Sequence, residues 1–246
     1  MISSLTGRYV MSSSEVFSAR EYLKTYYPID FDQEQLLSVT NSVEKGMVAH
    51  GGVFDTETVS LETGLSDEEI ENAAIFNFLR KVSRRLLRAF PRGEAVLLDV
   101  GGGPTIYQHI PLCLNVSAIV HAEFREENRV EVQKYLDHDE EAYLWGGYFS
   151  VVRRMLREDQ SYQETLDSQG KSSDVSIRKC ADQIRKILFS PDNEALDHRL
   201  VEVLRRHVVS CDVFSPSLEL DGSKALSSIL GEVTKDGLPD VVSAHF

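Results

Sequence analysis

Along the first ninety residues the apolar positions recur at helical spacing, and near residue 95 they switch to a continuous run. From Glu15 to Tyr27, the residues Val16, Phe17, Tyr22, Leu23, Tyr26 and Tyr27 form an aromatic helical pattern. Pro28 stops it, because the proline ring cannot continue the hydrogen-bond ladder. A second helix is predicted over Gln35 to Lys45, ahead of a Gly51-Gly52 turn. Ser66 and Glu69 have the spacing of a capping box, in which each side chain satisfies the other residue's free N–H. Behind them Ile75, Phe78, Leu79, Val82, Leu86 and Ala89 make one apolar stripe, which predicts an amphipathic helix. Arg84, Arg85 and Arg88 lie off that stripe and read as a solvated face, and Pro91-Arg92-Gly93 closes the element.

Ala95 to Val100 is then a short apolar run, as expected of a parallel strand buried on both faces. Gly101 to Gly103 predicts a turn, followed by a short helix that begins at Thr105 and is limited by Pro111. Ser117 to Ala122 reads as a second buried strand and Arg125 to Leu136 as a second helix, which together give a βαβ unit. Asp139 to Arg206 is mostly helical in pattern, with an aromatic stretch from Ala142 to Leu156 around the single Trp145. Ser168 to Asp174 is a polar Gly/Ser/Lys break expected to be an exposed loop. Val208 to Val213 and Asp240 to Ala244 predict third and fourth strands.

Composition narrows the function. Against 26 Lys+Arg stand 39 Asp+Glu, a formal net charge of -13. Nucleic acid is therefore not an expected partner, since phosphate binding depends on concentrated positive charge. Cys113, Cys180 and Cys211 are far apart and odd in number, which suits reduced thiols. They show no metal-ligand spacing with the histidines, and no metal site is expected. The polar amino terminus lacks the apolar core of a signal peptide, and no apolar run is long enough for a bilayer. The expectation is a cytoplasmic protein without membrane partners.

The chemistry points to the glycine cluster. Without Cβ atoms a backbone can turn sharply and approach a bound nucleoside closely. An acid ending the next strand can accept hydrogen bonds from ribose hydroxyls, and Glu123 lies at about the twenty-residue separation such an acid shows. A nicotinamide-dinucleotide site uses the same geometry but wants glycine at the first, third and sixth positions. Gly101 and Gly103 fit that fingerprint, whereas the sixth position is Ile106.

The run Asp99-Val100-Gly101-Gly102-Gly103-Pro104-Thr105-Ile106-Tyr107-Gln108 resembles the nucleoside-binding motif of the nicotinamide, phenylethanolamine, indolethylamine and thioether methyltransferase family. Arg20 to Tyr27 is similar to that family's amino-terminal lid helix, Glu123 to Asn128 to its ribose-contacting segment, and Ser210-Cys211-Asp212-Val213 to the segment after its third strand. The resemblance implies a class I, Rossmann-like α/β fold and S-adenosylmethionine as cofactor. It also implies methyl transfer to a small-molecule amine by direct in-line displacement.

Residue by residue, it implies that Tyr22 and Tyr27 close over the cofactor and that Gly101 and Gly102 line its amino-acid end. Tyr107 would meet the methionine carboxylate, Glu123 and Asn128 the ribose, and Asp212 with the backbone of Val213 the adenine. No catalytic residue is assigned. The implied organisation is a helical lid or cap over residues 1–65 and a methyltransferase domain over 66–246, with a helical insertion near 139–206. Three departures accompany it. Glu123 stands where the family often has Asp, and extra residues lie between Tyr27 and Ser66 and between Trp145 and Arg205. The sequence also stops at Phe246, just past the fourth strand, so the family's carboxy-terminal strands are expected to be missing and the strand-four edge open to association. The alternative reading is a catalytically incomplete remnant that binds cofactor or another protein.

Overall fold

The computed structural model describes residues 17–49, 67–205, 207–210 and 241–244. Among the described residues three helices come first: α1 (Ala19–Tyr26), α2 (Gln33–Ala49) and α3 (Asp67–Ala89). Strands β1 (Ala95–Val100) and β2 (Val116–Ala122) follow, and then α4 (Glu126–Leu136). Next come four helices, α5 (Gly146–Glu158), α6 (Gln160–Gly170), α7 (Val175–Leu188) and α8 (Glu194–Leu204), and finally β3 (Val208–Val209) and β4 (Val241–Ala244). The four strands form one parallel sheet in the order β3-β2-β1-β4, the Rossmann-like arrangement that the resemblance implies.

Alternation along the strands divides the core. Ala95, Leu97 and Ile119 join the large cluster built with the helices, whereas Val96, Val120 and Ala122 pack with Val209 in a smaller one. The parallel register sets Leu97 beside Ile119 and Asp99 beside His121. Two polar side chains thereby fall on the helix-covered face, directly under the end of β1. Among the described residues no helix is long and apolar enough to cross a membrane.

Four expectations need correction. The second helix extends from Gln33 to Ala49, beyond both ends of the predicted span. No helix begins at Thr105: residues 105–112 run through successive turns into a single 3₁₀ turn at Cys113–Asn115. Pro111 lacks an N–H, the Thr105 and Gln108 side chains occupy the Gly102 and Thr105 carbonyls, and the N–H groups of His109, Ile110 and Leu112 bond three residues back, so the segment closes tight turns in place of a continuous α-helical ladder. The polar break is shorter than predicted, because α6 persists to Gly170 and Asp174 already caps α7 by accepting from the N–H groups of Ser176 and Ile177.

The arginines of α3 are not simply solvated. Arg84 pairs with the buried carboxylate of Asp159, and Arg88 donates to Ser161. These contacts pin the start of α6 to α3. A buried polar chain adds to them: Ser83 donates to the Pro111 carbonyl, Asn115 donates to Ser83, and the Tyr162 hydroxyl donates to Asn115. Burial pushes the Cys113 thiol up to about 12, which suits an inert core thiol. Two predicted spans are also longer than the elements found: the first helix starts at Ala19, because the extended Ser18 caps it by accepting from the Glu21 N–H, and the third strand ends at Val209, with Ser210 already outside it. Glu15, Val16, Gly51-Gly52, Ser66 and Cys211 lie outside the described residues.

Candidate functional site

The sheet delivers the glycine turn to the carboxyl ends of β1 and β2. Gly101 and Gly103 have φ of 72° and 67°, the left-handed region in which a side chain is strained. The Gly101 N–H donates to the Ala122 carbonyl at 2.7 Å, tying the turn to the end of β2. The residues after it act as braces. Thr105 donates from its hydroxyl toward the Gly102 carbonyl at 2.9 Å, and the Gln108 amide lies 3.3 Å from that carbonyl and 3.1 Å from its own turn at Thr105. The Pro-Thr-Ile-Tyr-Gln run is thus the scaffold of the turn. Ile106 is fully buried in the core, so the place where a dinucleotide fingerprint needs a small residue is filled by packing.

Glu123 is brought to this turn by β2. One carboxylate oxygen accepts from the Gly103 N–H at 3.0 Å; the other accepts from the Arg125 N–H at 2.8 Å and the Asn128 amide at 3.1 Å. Glu123 thereby joins Gly103, Arg125 and Asn128 in one hydrogen-bonded group, with Gly101 and Gly102 preceding Gly103 in the turn. Beyond Gly103, no atom of the described residues other than its chain neighbours lies within 4 Å of where a Cβ would stand. Gly102 is the opposite case: a Cβ there would lie 2.3 Å from Asp99 Oδ2 and 2.7 Å from His121 Cε1. Gly102→Ala is expected to cost about 1–3 kcal/mol through overpacking. Thermal unfolding of the variant checks this, with the midpoint falling by several degrees.

The three tyrosines form a second group. Tyr27 lies 5.0 Å from Tyr107 and 6.0 Å from Tyr22 between ring centroids, and it also packs on Trp145 and Tyr148. Burial, and then the neighbouring phenols of Tyr107 and Tyr22, push the Tyr27 phenol upward, so it stays a neutral donor. Helix α1 is fastened from below. Leu23 is fully buried, Arg20 pairs with Glu131 of α4 at 3.1 Å, and the Tyr143 hydroxyl donates to the carbonyls of Leu23 and Tyr27.

Asp212 and Val213 lie outside the described residues. The chain reaches that region from β3, whose Val209 carbonyl accepts from the Glu123 N–H at 3.0 Å. Sequence reasoning missed one cluster: Asp99, His109 and His121 converge beneath the glycines. Their separation along the chain hides it, and only the β1–β2 register reveals the Asp99–His121 pairing.

The chain is similar to known proteins over part of its length. Bovine phenylethanolamine N-methyltransferase is 34% identical over 84 residues, which cover 33% of this chain and 30% of that enzyme. Human nicotinamide N-methyltransferase is 38% identical over 57 residues, covering 23% of this chain and 22% of the relative. Mouse indolethylamine N-methyltransferase is 30% identical over 90 residues, covering 36% and 33% respectively. Each alignment therefore spans a third or less of the relative's own length. The family pattern itself is matched over residues 61–188, more than half of the chain, from α3 through the glycine turn to the end of α7. The chain belongs to the NNMT/PNMT/TEMT family.

Proposed function

We propose that the chain binds S-adenosylmethionine at the glycine turn and acts as an N-methyltransferase on a small-molecule amine. The observation that carries this reading is the placement of Glu123: a carboxylate at the end of β2, held by Asn128, beside an open Gly103. Such an acid suits the two hydroxyls of a ribose, with Asn128 fixing its orientation. Gly101 and Gly102 then line the amino-acid end and Tyr107 meets the methionine carboxylate. Tyr22 and Tyr27, carried on α1, roof the site. For Asp212 and the backbone of Val213 the adenine role rests on the family resemblance.

The bound cofactor would supply an electrophilic methyl group on a sulfonium. The protein's own task is orientation and exclusion of water, which can lower a barrier by roughly 7–11 kcal/mol in favourable cases. The buried rings of Tyr107, Tyr148 and Trp145 suit the second task. A cavity of about 320 Å³ lies against Tyr148 and Phe76, with Phe31 and Leu36 in its wall and Asp32 at its edge. Its size and mixed lining suit an amine with an apolar body.

Calorimetric titration with S-adenosylhomocysteine tests the cofactor reading. One site per chain is expected; absence of binding by folded protein overturns it. Transfer of a labelled methyl group to a panel of small amines tests the reaction separately.

A further inference from the structure

The floor of the glycine turn holds a group of side chains that the methyl-transfer reading does not use. We propose that Asp99, His109 and His121 form a binding site for a divalent transition metal of the zinc class. The inference does not depend on the cofactor reading.

The fold assembles the set in two steps. The parallel register places Asp99 of β1 beside His121 of β2, on the face covered by the helices. The turns after Thr105 then bring His109 over both, its ring 5.3 Å from that of His121 and nearly perpendicular to it. All three side chains are buried to within 1% of full burial, and their donor atoms lie within 4.8 Å of one another.

The decisive observation concerns His121. Its Nε2 lies 3.1 Å from the Gly103 carbonyl oxygen. A carbonyl only accepts, so Nε2 carries the hydrogen, and in the neutral ring Nδ1 is left as a lone pair. That Nδ1 is buried without a hydrogen-bond partner and faces Asp99 Oδ2 at 3.5 Å. Two electron-rich atoms facing each other in a dry interior repel unless a proton or a metal cation lies between them, and the spacing decides which is suited to the gap. Bonds of about 2.0–2.1 Å to a tetrahedral metal would separate two such ligand atoms by about 3.3 Å, close to the spacing found. The bond from Nε2–H to a backbone carbonyl is also the outer contact by which ligating histidines are usually oriented.

His109 completes the set. Its Nε2 stands 2.7 Å from Asp99 Oδ2, a hydrogen-bond distance, so without metal a proton occupies that edge. Loading moves this proton to the other ring nitrogen and lets Nε2 turn its lone pair to the metal. The edge must then open to about 3.3 Å, a small side-chain rotation. Two imidazoles and one carboxylate match zinc, cobalt or nickel, whereas calcium and magnesium want six or more oxygen ligands. Because His121 also holds Gly103, a bound metal would stiffen the turn that receives the Glu123 carboxylate.

The test uses the full chain, stripped by chelator and titrated with cobalt(II) while its visible absorption is recorded. One equivalent is expected to bind with the intense bands of a low-coordinate site, and zinc should displace it. His121→Gln and His109→Gln should each weaken binding by at least about 100-fold. Should either variant misfold, nitrogen NMR of the zinc-loaded wild type gives the same answer, through shifts at one ring nitrogen of each histidine. The proposal is overturned by folded wild-type protein that takes up no cobalt or zinc, by variants that bind as tightly as wild type, or by His121 appearing doubly protonated at neutral pH with no metal taken up.

Discussion

Asp159→Ala is expected to lower stability by about 2–4 kcal/mol. The Asp159 side chain is fully buried and does two jobs. One oxygen pairs with Arg84 of α3, and the other accepts from the Tyr162 N–H, capping α6. Removing a cap costs about 1 kcal/mol. Withdrawing the partner of a buried charge costs about 3–5 kcal/mol, less here because Arg84 is still 20% exposed and water can reach it. For a chain of this size the midpoint should fall by roughly 10 °C. Asp159→Asn keeps a capping oxygen and should fall in between. Adding Arg84→Met to Asp159→Ala should recover part of the loss, since the guanidinium that faced the lost carboxylate goes with it. A double-mutant cycle by thermal unfolding measures the coupling, and a cycle that closes to zero removes the ion pair from the account.

Much of the sheet was legible because buried parallel strands announce themselves as short apolar runs. Ala95 to Val100 is such a run, and the observed β1 has the same bounds. Helix α3 was legible from its helical period, but its buried face is turned from the predicted stripe: Phe78 and Ala89 are exposed, whereas Phe76 and Leu87 are buried. The work of its off-stripe arginines was not legible either. Arg84 and Arg88 meet partners more than seventy residues away on α6 and at its cap, and no periodicity reports a contact of that range. The missing helix after Thr105 failed for a different reason. Thr and Gln have acceptable helical propensity, but here their side chains bond the glycine turn itself, and a local bond of that kind overrides propensity.

The site divides along the same line. The glycines, Glu123 and Asn128 were legible since they lie in two contiguous segments at the ends of adjacent strands. Only the resemblance drew Tyr22 and Tyr27 to the site, since three tyrosines on a short helix read by pattern alone as a core-facing stripe; the packing of Tyr27 on Tyr107 is visible only in the structure. The Asp99–His121 pair was invisible, since a shift of one residue in strand register would have sent either side chain to the opposite face.

Glu123→Gln is expected to weaken S-adenosylhomocysteine by about 100-fold while leaving the fold in place. The carboxylate already accepts three hydrogen bonds from Gly103, Arg125 and Asn128, which fix both oxygens in space. Exchanging one oxygen for an amide nitrogen sets a donor against a donor on one side and removes the charge. Bonds to a charged acceptor contribute about 1.5–3 kcal/mol each, and the loss of one to two ribose bonds gives the expected factor. Structure and binding can be separated by the conservative exchange. Glu123→Asp keeps the charge but retracts it by one methylene from the Gly103 N–H, so it should cost stability comparable to Gln. Yet it should hold affinity within about tenfold of wild type, as two acceptor oxygens remain for the hydroxyls. If calorimetry shows Asp and Gln losing affinity equally, Glu123 serves only to brace the turn, and the ribose role passes to another residue.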